Sequence, residues 1–294
     1  MKTVLFVVPV YNDWDRLESL LNSFYRALEL DKEKKSLNNK YQICVVDNGS
    51  TDTTELPKKY PNVLWLEEET PGSYSARNKA ISSCSADYYY FTDSDCLLDK
   101  RIFSVVERVT ESDKEIDIIG GRVKLYPETK GEESIFEAYD LITGLDQERY
   151  IAKGTAITAN LLVAKRVIDR IGAFDTSRFS GGDADFAQRA VRSGIGLVFN
   201  NELVVYHPAR KRLFDFSEKV KRITGAQVQR FGRIKAWILI PFIFLLLIRD
   251  WKRTVSFDCP LKIKLMSVLA SVVIFYVRQK YALYFLFGGR NLQR

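Results

Sequence analysis

Two carboxylates flank a serine in "YYYFTDSDCLL", residues 88–98. Asp93 and Asp95 follow an apolar, aromatic run. In an extended chain alternate side chains share a face, so both carboxylates point one way, with Cα atoms about 6–7 Å apart. Two anions that close gain from a shared cation. Hard oxygen ligands of this kind suit Mg²⁺ or Mn²⁺. Taken alone, D-x-D reads equally as a solvated turn in which Asp93 caps the segment beginning near Asp99. Other polar groups bear on the choice. Tyr11 and Asn12 follow the apolar run "TVLFVVPV" (3–10), and Asp47 ends "YQICVVD" (41–47).

The elements that must position these groups alternate in type. The runs 3–10, 41–47, 62–66 and 87–92 read as strands. Residues 14–28 place Leu17, Leu20, Leu21, Phe24 and Leu28 on one helical stripe. A second helix is expected over 72–84, and the charged stretch 29–40 reads as a loop. Further strands are expected at 117–125, 160–164 and 195–206. The βαβ alternation predicts an α/β fold with a mainly parallel sheet. In such sheets ligands bind at the carboxyl ends of the strands. Tyr11, Asn12, Asp47, Asp93 and Asp95 would then share one rim. Asn12, Asn48 and Asp52 read as well as loop formers.

The 294 residues suffice for one large α/β domain plus an appendage. Cys44, Cys84, Cys96 and Cys259 are widely spaced, which argues against a zinc site or disulfide framework and fits a reducing compartment. The apolar run at the N-terminus is too short for a signal peptide and reads as the first strand. Charge is unevenly divided. Residues 208–294 hold 18 Lys and Arg against 4 Asp and Glu, a net +14, while residues 1–207 carry −7. A basic tail on an acidic body suits an anionic surface. That tail also contains the apolar runs 236–248 and 265–277, each shorter than the roughly 20 residues of a membrane span. Two helices lying in or dipping into a membrane interface are expected there, with residues 234–289 as the contact. A helical hairpin packed on the body, or a homodimer interface, is the alternative. No nucleic-acid partner is expected.

Several chemistries lack their motif. There is no G-x-G-x-x-G and no P-loop. A haloacid-dehalogenase-like phosphatase places D-x-D after its first core strand, with Thr or Val two positions on. Here the motif follows about the fourth strand, and Leu97 stands in that place. A metal-dependent phosphatase and a catalytically idle binding protein are the two readings the pair leaves open at this point.

"VVPVYNDWDRLESLL", "VVDNGSTDTT", "PGSYSARNKAI", "YYYFTDSDCLL", "GAFDTSRFSGGDADFAQRAVRSG" and "VVYHPAR" occur in this order. Together they resemble family 2 glycosyltransferases, which have the GT-A fold, over roughly the first 210 residues. The resemblance implies a catalytic domain at 1–210 and a basic helical region at 211–294. It implies transfer of a sugar from a nucleotide-diphosphate donor, a UDP-sugar, to a sugar or lipid-linked acceptor, with Mn²⁺ or Mg²⁺ as cofactor. Pro9, Tyr11 and Asp47 match positions that hold the nucleotide base, and Arg77 matches a position near the nucleotide. Asp93 matches the carboxylate that helps hold the ribose, and Asp95 the metal ligand. Asp183 matches the general base of inverting enzymes, although Gly182 stands where the family usually has Glu. Asp185 is the second candidate. His207, the one histidine, matches a third metal ligand or diphosphate contact, and a neutral imidazole suits Mn²⁺ better than Mg²⁺. The expected location is the cytoplasmic face of the cell membrane, peripheral or monotopic.

Overall fold

The computed structural model describes residues 1–34, 37–112, 116–178, 180–232 and 237–289. Its centre is an eight-stranded sheet of order β3-β2-β1-β4-β7-β6-β8-β5. The strands are β1 (Thr3–Val10), β2 (Lys40–Asp47), β3 (Leu64–Glu67), β4 (Tyr88–Thr92), β5 (Leu97–Leu98), β6 (Ile118–Tyr126), β7 (Asn160–Ala164) and β8 (Leu197–Pro208). β1 pairs in parallel with β2 and β4, and β2 with β3. β7 lies antiparallel between β4 and β6, while β6 and β8 are parallel. All strands except β5 and β7 therefore run the same way. The carboxyl ends of β1, β2, β4, β6 and β8 meet on one rim. The sheet is mixed in its pairing, yet these strand ends still share one rim.

β1 and β4 are buried along almost their whole length, which is why they read as unbroken apolar runs rather than alternating ones. Phe6 stacks on Tyr90 at 4.4 Å, and α1 (Trp14–Lys34) lays Leu17, Leu20, Leu21 and Phe24 against them. This helix runs past the expected boundary into the charged stretch 29–34. Glu and Lys are good helix formers, and Asp31 is buried while accepting a 2.9 Å hydrogen bond from Ser104 N–H. Contact with α4 (Ile102–Thr110) thus carries the helix onward. The short helices α2 (Leu56–Lys59) and α3 (Ser73–Ser83) link the parallel strands. α5 (Ile135–Thr143), α6 (Gln147–Ile151), α7 (Lys165–Ile171) and α8 (Gly182–Arg192) follow, and α9 (Leu213–Phe231) leaves the sheet.

The last two helices are α10 (Leu239–Ser256) and α11 (Leu261–Leu286), both longer than the apolar runs alone suggest. Pro241 falls inside the first of those apolar runs. It sits in the first turn, where its missing N–H breaks no intrahelical bond. α11 packs on α5, α9 and α10. Asp250, fully buried, accepts from Tyr139 Oη at 2.6 Å and Arg278 Nη1 at 3.0 Å, and from Arg249 Nη2 at 2.7 Å. Arg253 reaches Asp146 at 3.0 Å. These bonds join the tail to α5 and the segment after it. A buried charge so paired is costly to break from one side, by about 3–5 kcal/mol.

Candidate active site

The first part of the rim is built by β1 and β2. Pro9 pairs with Val46 beyond the point where β4 stops pairing, so its missing N–H costs no bond on that side. Tyr11 follows it, 37% exposed. Asp47 ends β2, and its Oδ1 accepts from Ser50 N–H at 3.0 Å, a local turn that fixes the carboxylate at the rim. Asn12 and Asn48 are scaffold. Asn12, at φ 49°, accepts from Thr51 N–H at 2.8 Å. Asn48 donates to the carbonyls of Glu68 and Thr70 at 2.9 and 2.8 Å and accepts from Gly72 N–H at 2.6 Å. Their side chains are spent on holding loops, as their loop-forming character suggests.

Asp93 and Asp95 do converge, by a different route from the pleat. β4 ends at Thr92, and Cys96 N–H donates to Asp93 C=O at 3.1 Å, so residues 93–96 form a turn. The two-residue strand β5 then pairs Leu97 with Tyr206. Asp95, two residues before Leu97, is thereby set beside His207, one residue after Tyr206. His207 Nε2 lies 3.4 Å from Asp95 Oδ2. One ligand atom each from Asp93, Asp95 and His207 falls within 4.8 Å of the others.

These residues fit a divalent cation. His207 Nδ1 is 2.7 Å from Pro208 C=O, an acceptor only, so Nδ1 carries the proton and Nε2 presents its lone pair. Asp95 Oδ1 is buried and, among the described residues, has no hydrogen-bond partner. A buried oxygen without a donor beside a second acceptor is the donor set a hard cation completes.

Arg77 is no surface arginine. Its side chain is 3% exposed, and Nη2 lies 2.5 Å from Asp93 Oδ1. Its charge also reaches Asp183, in the first turn of α8. Burial pushes the Asp183 carboxyl above the usual carboxylate range. A hydrogen bond from Ala184 N–H, Arg77 and Tyr74 oppose that rise, and Asp93 adds to it. Asp185 is engaged elsewhere, paired with Arg178 at 2.9 Å and Arg189 at 3.0 Å. Of the two carboxylates of α8, Asp183 is the one electrostatically joined to the metal-type cluster.

Residues 5–172 match the family described as Glycosyl transferase family 2. The chain is also 32% identical over 262 residues to the glycosyltransferase AglE of Haloferax volcanii, spanning 82% of this chain and 81% of that protein. The chain belongs to glycosyl transferase family 2. It is therefore a glycosyltransferase with a GT-A fold. The mannosyltransferase PcManGT from Pyrobaculum calidifontis, solved with GDP-Man and Mn²⁺, superposes with a TM-score of 0.56 at 18% identity, over 97% of this chain and 75% of that one. TarS of S. aureus, solved with UDP, gives 0.53 at 19% identity, over 98% and 92%. At such identities these likenesses speak for the fold.

Several residues of this glycosyltransferase's site went unread in the sequence. Tyr74 donates to Asp183 Oδ1 at 3.2 Å. Arg16 Nη1 stands 3.9 Å from Asp95 Oδ2, and Ser94 Oγ donates to Asp13 at 3.3 Å. Burial raises the Asp13 carboxyl, with Arg16 opposing and Asp95 adding. Tyr126, at the end of β6, is likewise raised by burial and then by Asp95. The available signal was position: Asp13 follows the β1 rim, and Tyr74 is one helical turn before Arg77.

Proposed function

We propose that this glycosyltransferase moves a sugar, with inversion, from a UDP-sugar to a hydroxyl of a lipid-linked acceptor or surface-glycan precursor. The observation that carries the reading is the link from the Asp93–Asp95–His207 cluster through buried Arg77 to half-buried Asp183. Asp95, His207 and Asp93 would hold Mn²⁺ or Mg²⁺, which when bound offsets the charge growing on the leaving diphosphate. Pro9, Tyr11 and Asp47 would hold the base, with Asp93 also near the ribose. The acceptor oxygen attacks the anomeric carbon through an oxocarbenium-like state. The bond from that carbon to the diphosphate breaks with its electron pair on the departing diphosphate oxygen, and the hydroxyl proton passes to Asp183. A carboxyl raised toward neutral pH is the better base. The donor class is supported by relatives solved with GDP-Man and with UDP-GlcNAc. The lipid-linked acceptor is supported by similarity to a dolichyl-phosphate beta-glucosyltransferase of Dictyostelium discoideum, 28% identical over 38% of this chain and 36% of that protein. Incubation with UDP-sugars and Mn²⁺ should release free UDP and no inorganic phosphate. Phosphate release would mean a phosphatase, and no release from any donor a binding protein.

The proposed place of work is the cytoplasmic membrane surface. Among the described residues no helix is long and apolar enough to cross a membrane. The exposed faces of α10 and α11 support a peripheral mode. Phe244, Ile248, Trp251 and Val255 share one face of α10, and Leu261, Leu265, Leu269 and Tyr276 one face of α11, each between 41% and 74% exposed. Lys252 and Lys262 are exposed on the same helices, and each basic residue near anionic lipid contributes about 1 kcal/mol. Residues 234–236 of the expected contact lie outside the described residues. Because the tail is stitched to α5, truncation is a poor test. The full chain should co-sediment with phosphatidylserine vesicles, and exchange of Phe244, Ile248, Leu265 and Leu269 for Ser should leave it in the supernatant. High salt should weaken binding only in part, since apolar insertion is not screened. Wild-type protein that ignores both anionic and neutral vesicles would assign these faces to a homodimer.

A further inference from the structure

We infer that Tyr74 is the positioning residue for the Asp183 base, and that Gly182 is glycine to leave room for its ring. The inference rests on the reading of Asp183 as the base. Gly181, at φ 78°, needs glycine for its backbone. Gly182 lies outside the left-handed region, so its missing side chain is a matter of space. A methyl group there would stand 2.7 Å from Cε2 of Tyr74 and 2.9 Å from Cδ2 and Cζ. The ring has little freedom to retreat. It stacks on Phe174 at 5.8 Å, and Arg77 lies 5.9 Å from its centre on the same helix. Phe174 is held in turn by Asn78, which donates to its carbonyl at 2.8 Å and accepts from its N–H at 3.0 Å. Phe186 of α8 packs 4.8 Å from Phe174. This aromatic stack therefore joins α3 to the helix that carries the base.

The result is a defined carboxylate. Tyr74 Oη donates to Asp183 Oδ1 at 3.2 Å, and Ala184 N–H donates to the same oxygen at 2.9 Å. Two donors on Oδ1 leave Oδ2 as the oxygen that meets the acceptor hydroxyl. The place where the family usually carries Glu is here filled by a tyrosine from another element. Among the described residues, the charged and titratable groups that act on Asp183 are Tyr74 and Arg77 from α3, Asp93 after β4 and Tyr150 from α6. Tyr74 favours the charged carboxylate, because a hydrogen bond to the ionised form stabilises it.

Without the hydroxyl, Asp183 holds its proton to higher pH. Transfer needs the carboxylate, so the acidic limb of the rate profile should move to higher pH by about one unit. The experiment is a ¹³C NMR titration of aspartate-labelled full-length protein, with the Asp183 signal assigned by its loss in Asp183→Asn. Tyr74→Phe should raise the Asp183 midpoint while leaving Mn²⁺-dependent UDP affinity within two-fold. Gly182→Ala should produce the same rise alone and no further rise in a Tyr74→Ala background. An Asp183 midpoint unmoved by Tyr74→Phe overturns the inference. A midpoint unmoved by Gly182→Ala overturns its spatial half. Neither result touches the assignment of Asp183 as base, which fails only if Asp183→Asn still transfers sugar.

Discussion

Asp183→Asn should lower sugar transfer about 10³-fold, within the range general-base catalysis supplies, while UDP binding in Mn²⁺ stays within a few-fold of wild type. The amide keeps the shape of the side chain and can still accept from Ala184 N–H and Tyr74 Oη through its oxygen. It cannot take a proton. Loss of charge at the first turn of α8 costs only about 0.3–1 kcal/mol, and a neutral amide is easier to bury than a carboxylate. An unchanged or higher melting temperature should therefore accompany the lost activity, which separates chemistry from unfolding. UDP release at saturating donor is the measurement. Turnover within a few-fold of wild type would place the base elsewhere. Asp185 would be tested next, although its ion pairs to Arg178 and Arg189 argue for a bracing role.

Asp95→Ala should lower Mn²⁺-supported turnover at least about 100-fold, because a metal ion at the leaving group supplies several kcal/mol. The substitution removes the buried oxygen that has no donor among the described residues, and the carboxylate oxygen 3.4 Å from His207 Nε2. It also removes one charge that raises the Asp13 carboxyl, so the surrounding carboxylates should be relieved rather than strained. The fold should survive, since Asp95 ends no helix and, among the described residues, its carboxylate meets His207 Nε2 at 3.4 Å and Arg16 at 3.9 Å without a short hydrogen bond. Rates of UDP release across a Mn²⁺ series test this. Wild-type rates at the wild-type half-saturating Mn²⁺ would remove Asp95 from the ligand set.

Much of this site was legible because it sits at the ends of buried strands. β1, β2 and β4 announce themselves as apolar runs, and Asp47, Asp93 and Asp95 stand where those runs stop. The carboxylate pair was found for a partly mistaken reason. The pleat predicts one shared face, whereas a turn at 93–96 and the short strand β5 bring Asp95 to His207. A two-residue strand has no periodicity to read. Its partner, β8, lies over 100 residues away, and that pairing is a tertiary fact. The antiparallel placement of β7 was hidden for the same reason. Tyr74 was missed because its partner Asp183 is 109 residues distant and belongs to another motif. Helix α1 outran its apolar stripe because a buried Asp31, not a hydrophobe, ties its last turns to α4. In the tail, the apolar run 236–248 does not mark where α10 begins, and Pro241 is tolerated there because it falls in the first turn.

The central claim is that Asp93, Asp95 and His207 form a cation-dependent diphosphate site. Its most direct test is calorimetric titration of UDP into wild-type protein and Asp95→Ala, each with Mn²⁺ and with EDTA. Strong binding is expected only for wild type with Mn²⁺, and the other three titrations should be at least about ten-fold weaker, a difference of about 1.4 kcal/mol. Equal affinity in all four would contradict the claim, and with it the assignment of the carboxylate pair to the donor diphosphate.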